Sequence, residues 1–256
     1  MFKENKQFWL YIIGSILLMI LVMFGLQSQV GRVTFDDFRF VPGTSATLTP
    51  RPSSPGLEPG RDYEAVIRTN RGDFTVDLFE TAAPNTVNSF VYLAAQDYYD
   101  GTSFHRLVPG VLLQGGSDTS KDADPSNDSL GGPGYVIGDE INWDALDFDQ
   151  ELRSKLEQEG YTSTPRVPSK RIAKYRLAMA SVGPNTSGSQ FFIVLGDREN
   201  EQLAALTGRH TVFAEVTQNT QLIDELGSVA VDNPLSQSPR PLEVLTINDI
   251  EIRYKD

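Results

Sequence analysis

One arginine and one glutamine stand eight positions apart in an otherwise apolar segment, and these two residue types could do chemistry together. The segment covers residues 104–116 and reads FHRLVPGVLLQGG. Pro109-Gly110 predicts a turn, because Pro presets φ and Gly allows a positive φ. We therefore predict two short strands that bring Arg106 close to Gln114, with Phe104 on the same strand face as Arg106. Because arginine keeps its proton, Arg106 must donate hydrogen bonds to some partner.

Composition excludes several other kinds of chemistry. The chain has 256 residues and a formal charge of -12, without a dense basic patch, so we expect no nucleic-acid partner. It has no cysteine, which excludes disulfides, thiolate ligands and cysteine nucleophiles. Only His105 and His210 could supply imidazole, and neither lies in a Cys/His cluster, so we expect no metal site. The glycine-rich residues 131–134 lack the Lys-Ser/Thr of a phosphate loop, and no cofactor is expected.

The N-terminal part of the sequence predicts a membrane anchor. Residues 8–26 form a run of 19 uncharged residues, and such a helix would span roughly 28 Å, about the thickness of a bilayer core. Lys3 and Lys6 precede the run, which places residues 1–7 in the cytoplasm and the rest outside. A cleaved signal peptide is the alternative, but no Ala-x-Ala-like site follows. A buried core helix is a third, weaker option.

A linker and one globular domain follow the predicted anchor. Residues 27–60 are assigned to the linker, because residues 41–60 hold five Pro among Gly, Ser and Thr and cannot bury a core. Residues 61–256 form the predicted domain. Alternating apolar residues predict a hairpin from Tyr63 to Leu78, and helical spacing predicts a helix from Pro84 to about Tyr98.

The rest of the domain predicts a mainly β protein. Further strands are predicted around 104–108, 111–115, 135–138, 177–180, 190–195 and 211–216. A second helix is predicted over Asn219–Leu226 and a closing strand over Val244–Tyr254. Many short strands with few helices favour a closed antiparallel barrel.

A charged insertion, defined as residues 139–176, interrupts this pattern. Its first part, 139–159, has eight acidic and two basic residues, whereas 166–176 has five basic and no acidic residues. An apolar stripe at helical spacing predicts a helix within it, made by Ala145, Phe148, Leu152 and Leu156. We favour a surface helix that packs this stripe on the barrel; a docking surface for a partner is the alternative.

Three segments together resemble the cyclophilin peptidyl-prolyl isomerases. They are FHRLVPGVLLQGG, then LAMASVGPNTSGSQFFIVLG (residues 177–196), then GRHTVFAEV (residues 208–216). Their order and spacing match the family over about residues 62–254, apart from the charged insertion. The resemblance implies an eight-stranded antiparallel β-barrel capped by two α-helices, with a groove for proline-containing peptides on its outer face.

The resemblance also implies roles for particular residues. Arg106 would donate a hydrogen bond to the prolyl nitrogen, and Gln114 would hold that arginine and contact the substrate backbone. Phe104 would support the site from beneath. The remaining substrate-binding residues implied are Val111, Leu112, Ala180, Ser181, Gln190, Phe192, Leu206 and His210.

This sequence departs from the family pattern in the pocket for the proline ring. Val111 stands where the family usually has Phe, Leu112 where it usually has Met, and Ala205 where many members have Trp. Smaller side chains predict a looser pocket, and loss of the Trp predicts weak cyclosporin binding. Ser181 replaces the usual Asn, where the contact is mainly backbone.

Two functions are therefore compared. The first is a membrane-tethered isomerase that accelerates X–Pro rotation in exported or membrane-proximal proteins and so assists their folding. Such rotation must break amide resonance across a barrier of about 18–20 kcal/mol, and a donor aimed at the pyramidal prolyl nitrogen lowers it without a cofactor. The second is a module that binds proline-containing segments with little turnover. We favour the first, because Arg106 is retained.

Overall fold

The computed structural model describes residues 57–58, 60–122, 124–197 and 200–255. The predicted anchor, residues 8–26, and most of the predicted linker lie outside these ranges. Within them, no helix is both long enough and apolar enough to cross a membrane.

Eight strands and four α-helices make up the described domain. The strands are β1 (Tyr63–Thr69), β2 (Gly72–Leu78), β3 (Arg106–Val108), β4 (Leu112–Gly115), β5 (Arg176–Met179), β6 (Phe191–Val194), β7 (Val212–Gln218) and β8 (Ile247–Tyr254). The helices are α1 (Pro84–Ala94), α2 (Gln150–Gln158), α3 (Glu201–Ala204) and α4 (Thr220–Leu226), with a 3₁₀ turn at Asp118–Lys121.

All eight strands belong to one curled antiparallel sheet in the order β3-β4-β6-β5-β7-β2-β1-β8. The two strands at the ends of this order, β3 and β8, do not pair with each other. Instead, the segments that precede them meet through an isolated bridge between Ser103 and Thr246 and a hydrogen bond from the Phe104 N–H to the Leu245 carbonyl, 2.8 Å. The sequence predicted a fully closed barrel, whereas the structure is a curled sheet. The gap between β3 and β8 is bridged by the irregular segments that precede these strands.

The main core lies inside the curl and is rich in aromatic rings. Phe191 from β6 meets Phe90 of α1 edge-on, with ring centroids 5.9 Å apart, and packs against Phe213 of β7 at 6.3 Å. Edge-to-face pairs of this kind add to the apolar burial. The core therefore fixes β6, whose outward-facing side chains form part of the site described below.

Helix α1 begins where the sequence predicts, and its first turn is held by the charged insertion. Pro84 occupies the first turn, where a missing N–H is harmless. The backbone N–H groups of Asn85 and Thr86 each donate to the Glu140 carboxylate at 2.9 Å. A carboxylate there both satisfies these donors and complements the helix dipole. The helix ends at Ala94, four residues before the predicted Tyr98, and a tight turn follows.

Two further predictions differ from the structure. Residues 135–138 contribute only a single bridge, between Ile137 and Ser187, rather than a strand. In the charged insertion, Phe148 and Leu156 pack into a small apolar cluster, as the stripe predicts, but Ala145 is exposed. The helix begins only at Gln150, so Ala145 and Phe148 of the predicted stripe precede it. The cluster takes further residues from outside the helix, namely Ile141, Trp143, Leu146 and Tyr161.

Candidate active site

The β3–β4 hairpin places Arg106 directly opposite Gln114, as the sequence predicts. The two residues are register partners across the hairpin, and Gly110 makes the turn with φ of +69°. The Nη1–H of Arg106 donates to Gln114 Oε1 at 3.1 Å. The short turn thus converts a spacing of eight residues into a direct contact.

Arg106 has a second protein partner that the sequence did not reveal. Its Nε–H and Nη2–H both donate to the backbone carbonyl of Gln237, at 3.2 and 2.9 Å. Gln237 lies in the loop between α4 and β8, and the neighbouring Pro239 carbonyl accepts the N–H of Leu107 at 2.9 Å. Two bonds to one carbonyl and one to Gln114 fix the plane of a guanidinium that is only 5% exposed.

A chain of amide hydrogen bonds extends from Gln114 to Gln190. The Nε2–H of Gln114 donates to Gln190 Oε1 at 3.0 Å, and Gln190 in turn donates to the carbonyls of Ser129 and Gly131. Gln190 directly precedes β6 and is buried. Because each amide is held by the next, the orientation of Gln114 is set before any substrate arrives.

The residues predicted to hold the proline ring form one apolar cluster on the outer side of the sheet. Val111, Leu112, Phe192 and Leu206 pack together, and none is more than 5% exposed. Phe192 also meets the ring of His210 edge-on at 5.3 Å. We call these five residues the proline pocket; they come from the β3–β4 hairpin, β6 and the segment before β7.

His210 is a neutral hydrogen-bonding residue in this structure. Burial, together with the positive charges of Arg209 and Arg106, lowers its pKa to about 4. Its Nδ1 lies 2.9 Å from the Met179 carbonyl and 3.3 Å from the Ser181 hydroxyl. A carbonyl can only accept, so the neutral ring carries its proton on Nδ1. His210 is therefore positioned as pocket wall rather than as an acid or base.

Ala180 and Ser181, predicted to line the peptide groove, directly follow β5. Both are half-buried, and the Ala180 N–H donates to the Gln190 carbonyl at 2.9 Å. Ala180 also packs against the apolar cluster. The structure thus brings the donor residues, the pocket and this segment to one side of the sheet.

Phe104 is the predicted site residue that lies apart from the others. It is 1% exposed and belongs to the core inside the curl, where it meets Phe191 edge-on at 6.3 Å. The prediction that it shares the face of Arg106 is wrong, because β3 begins only at Arg106 and strand alternation does not extend back to residue 104. Phe104 packs beneath the hairpin from the interior.

The adjacent His105 is also buried, and burial, with the neighbouring Arg106 charge, lowers its pKa to about 4.

These features define a class: a mainly β protein whose curled sheet carries, on its outer side, a braced arginine next to an apolar pocket. The sequence model of the family described as cyclophilin type peptidyl-prolyl cis-trans isomerase/CLD matches residues 65–252. The chain belongs to this family, and it is a cyclophilin-type peptidyl-prolyl cis-trans isomerase.

Named relatives support the same assignment. The chain is 34% identical over 205 residues to a protein named probable peptidyl-prolyl cis-trans isomerase A from Mycobacterium leprae, covering 73% of this chain and 91% of that one. It is 34% identical over 208 residues to peptidyl-prolyl cis-trans isomerase B of Streptomyces anulatus, with 75% and 97% covered.

Solved structures agree with these relatives. A Cryptosporidium parvum cyclophilin type isomerase is similar with a TM-score of 0.55 and 27% identity, over 76% of this chain and 99% of that chain. A crystal structure of the same isomerase in the presence of the dipeptide Ala-Pro matches with a TM-score of 0.54 and 27% identity, over 75% and 99% of the two chains.

Proposed function

We propose that Arg106 accelerates X–Pro rotation by donating a hydrogen bond to the prolyl nitrogen of the twisted amide. In the planar ground state the lone pair of that nitrogen is delocalised and accepts poorly, because it takes part in amide resonance. Twisting makes the nitrogen pyramidal and restores the lone pair. A donor fixed in advance therefore binds the transition state better than either ground state, which is the condition for catalysis.

The observation that carries this proposal is the bracing of Arg106. Its three hydrogen bonds to Gln237 and Gln114 hold a buried guanidinium beside the proline pocket. A fixed donor does not have to reorganise during the reaction, which is the advantage of electrostatic preorganisation. In this mechanism Gln114 keeps the arginine in place and contacts the substrate backbone.

The substrate would be an extended proline-containing polypeptide. Its prolyl ring would pack on the proline pocket, and its backbone would lie along Ala180 and Ser181, with Gln190 at its side. A crystal structure of a related isomerase in the presence of Ala-Pro supports this class of ligand. Since Val111 and Ala205 are smaller than the family residues Phe and Trp, peptide binding is expected to be weak. Cyclosporin is expected to inhibit poorly, and a titration that shows tight inhibition would contradict this expectation.

A peptide isomerisation assay on the full-length protein tests the role of Arg106. Arg106→Ala should lower kcat/KM by roughly a hundredfold or more, as removal of one preorganised donor does elsewhere. The matched control is Arg71→Ala, since Arg71 is an exposed arginine whose ion pair with Glu243 lies at the surface and contributes little to stability. Equal activity of Arg106→Ala and wild type would refute the mechanism.

The small pocket residues also support a second candidate, a module that binds proline-containing segments with little turnover. Exchange NMR on an X–Pro peptide separates the two. An isomerase increases the cis–trans exchange rate at a substoichiometric concentration of protein, whereas a binding module shifts peptide resonances without faster exchange. The retained arginine and its bracing favour the isomerase.

For the cellular setting, we propose that residues 8–26 anchor the protein and that its domain faces the extracytoplasmic side, where exported and membrane-proximal proteins fold. Support comes from the sequence: an uncharged run of 19 residues preceded by Lys3 and Lys6. Protease treatment of intact cells or spheroplasts should digest the domain. Protection of the domain until the membrane is opened would contradict this orientation.

A further inference from the structure

We infer that Glu159, in the charged insertion, is a positioning residue for the proline pocket and acts through Arg209. The two side chains join the end of helix α2 to residues 205–210, which we call the pocket loop. This loop carries two members of the pocket, Leu206 and His210. The inference rests on the proposed role of that pocket in binding the prolyl ring.

The pocket loop is wrapped around a buried cation. Arg209 is only 2% exposed, and its Nη1 donates to the carbonyls of Ala205 and Thr207, at 3.0 and 3.3 Å, within the same loop. Its Nε and Nη2 donate to the two carboxylate oxygens of Glu159, at 2.7 and 2.8 Å. A buried guanidinium is strongly destabilising without a paired anion. The loop conformation therefore depends on a carboxylate supplied by the charged insertion.

Close packing accompanies the ion pair. Gly208, between Thr207 and Arg209, has φ of +80°, and a Cβ there would lie 2.6 Å from Leu156 Cδ1 and 2.9 Å from Phe148 Cε2. Those two side chains belong to the apolar cluster of the insertion. Glycine favours this close approach, because a Cβ would require Leu156 and Phe148 to shift and the positive φ would be strained for other residues.

A second contact region lies nearer to the pocket wall. Ile172 of the insertion packs against the apolar cluster that contains the proline pocket. Between the insertion and the residues Thr207 and His210 there is a cavity of only about 10 Å³, enough for one water molecule at most. In addition, the Glu140 N–H donates to the Thr211 hydroxyl at 2.9 Å. The insertion thus contacts the C-terminal part of the pocket loop, the adjoining Thr211 and the apolar cluster.

The donor side of the site is supported by other parts of the described chain. Arg106 is braced by Gln114 and Gln237, which belong to the β3–β4 hairpin and the α4–β8 loop. Loss of the Glu159–Arg209 ion pair should therefore weaken binding of the prolyl ring. The hydrogen bond from Arg106 to the twisted amide should remain intact. In kinetic terms, KM rises and kcat stays close to wild type.

Steady-state kinetics of the full-length protein, solubilised in mild detergent, test this inference. Glu159→Gln removes the charge at nearly constant shape and should raise KM roughly three- to tenfold, with kcat within about twofold. Glu157→Gln is the matched control, because it removes the same charge from an exposed position of the same helix. This substitution should leave KM and kcat unchanged. Glu159→Asp keeps the charge and should recover part of the affinity.

A second variant provides an independent test in case Glu159→Gln does not fold. Gly208→Ala disturbs the same contact by adding a Cβ against Leu156 and Phe148 while keeping every side chain of the ion pair and the proline pocket, and it should also raise KM selectively. Circular dichroism and melting curves establish that each variant is folded. Unchanged KM in a folded Glu159→Gln protein would overturn the inference, as would an equal loss in Glu157→Gln. Absence of catalysis in wild type, or its persistence in Arg106→Ala, would instead refute the proposed function.

Discussion

The two halves of the site are built by different physical means. The donor half, Arg106 with Gln114 and Gln190, is a polar network in which each group is held by a hydrogen bond to the next. The grip half, the proline pocket, is an apolar cluster that makes few directional bonds and is shaped by packing. Polar networks fix direction, whereas apolar packing fixes volume.

We expect the two halves to tolerate substitution differently in the proposed mechanism. In the proposed mechanism the guanidinium must point at one atom, and Arg106 and Gln114 both stand in the segment FHRLVPGVLLQGG that resembles the family. The pocket only has to enclose a ring, and here it has lost bulk at Val111 and Ala205 while gaining outside support from the charged insertion. We therefore expect changes in the donor half to affect kcat and changes in the grip half to affect KM.

Arg106→Lys should give the largest effect. Lysine keeps the positive charge but lacks the planar fork that lets one group donate to Gln237 and Gln114 together. We expect kcat to fall by roughly tenfold to a hundredfold, with KM little changed. Peptide kinetics alongside Arg71→Lys measure this. A lysine variant as active as wild type would show that charge alone suffices and that the bracing is irrelevant.

Gln114→Leu should have the next largest effect. It removes the acceptor for Arg106 Nη1 and the donor to Gln190 while keeping a side chain of similar size. The arginine retains Gln237, so we expect kcat to fall roughly tenfold, in line with loss of one charge-assisted hydrogen bond. Should the loss appear in KM alone, Gln114 would be assigned to substrate contact rather than to bracing.

Val111→Phe tests the contribution of the proline pocket to substrate binding. A larger ring restores apolar contact area for proline, and we expect KM to fall roughly threefold with kcat unchanged. Leu112→Met is the control, because a volume-conserving change in the same cluster should alter little. Peptide titration by NMR provides an independent affinity. A rise in KM with Val111→Phe would mean that the packed cluster has no room for the ring.

The pH dependence of stability tests the two buried histidines rather than the kinetic constants. His105 and His210 have pKa values lowered to about 4, mainly by burial, against an unfolded value near 6.5. Between pH 6.5 and 4 the unfolded chain binds more protons at these sites, so stability falls as the pH falls, by at most about 1.4 kcal/mol per pH unit for each histidine. Urea unfolding at pH 7.5, 6, 5 and 4 measures the slope.

Asp139 opposes this trend and supplies a control. Burial raises its pKa to about 6, so the folded chain binds more protons at this site between about pH 4 and 6, and stability rises as the pH falls. Asp139→Asn removes that opposing contribution. Its stability should therefore decline more steeply on acidification than that of wild type. A shallower decline would contradict the assignment.

The sequence predicted the donor half better than its surroundings. Arg106 and Gln114 are joined by a short turn, so local rules of turn and strand suffice to pair them. Gln237 lies 131 residues from Arg106 and contributes a backbone carbonyl, which no side-chain motif can signal. Phe104 was placed on the wrong face because the strand start could not be located to within two residues.

The charged insertion was predicted to contain a helix, but its contacts with the pocket loop were not predicted. Helical spacing identified Phe148 and Leu156, because that pattern is local. Their contact with Gly208 is long-range, and the Glu159–Arg209 pair joins two charged residues among many. The family resemblance gave no guidance there, since the insertion interrupts it.

The carboxylate of Glu140 has a practical consequence for redesigning the molecule. Although it lies at the start of the charged insertion, it holds the first turn of helix α1, and both of its oxygens are used there. A shortened version of the protein should therefore be cut after Glu140. Excision from residue 139 would remove the acceptor of the Asn85 and Thr86 N–H groups. The first turn of α1 would then be destabilised in the shortened protein.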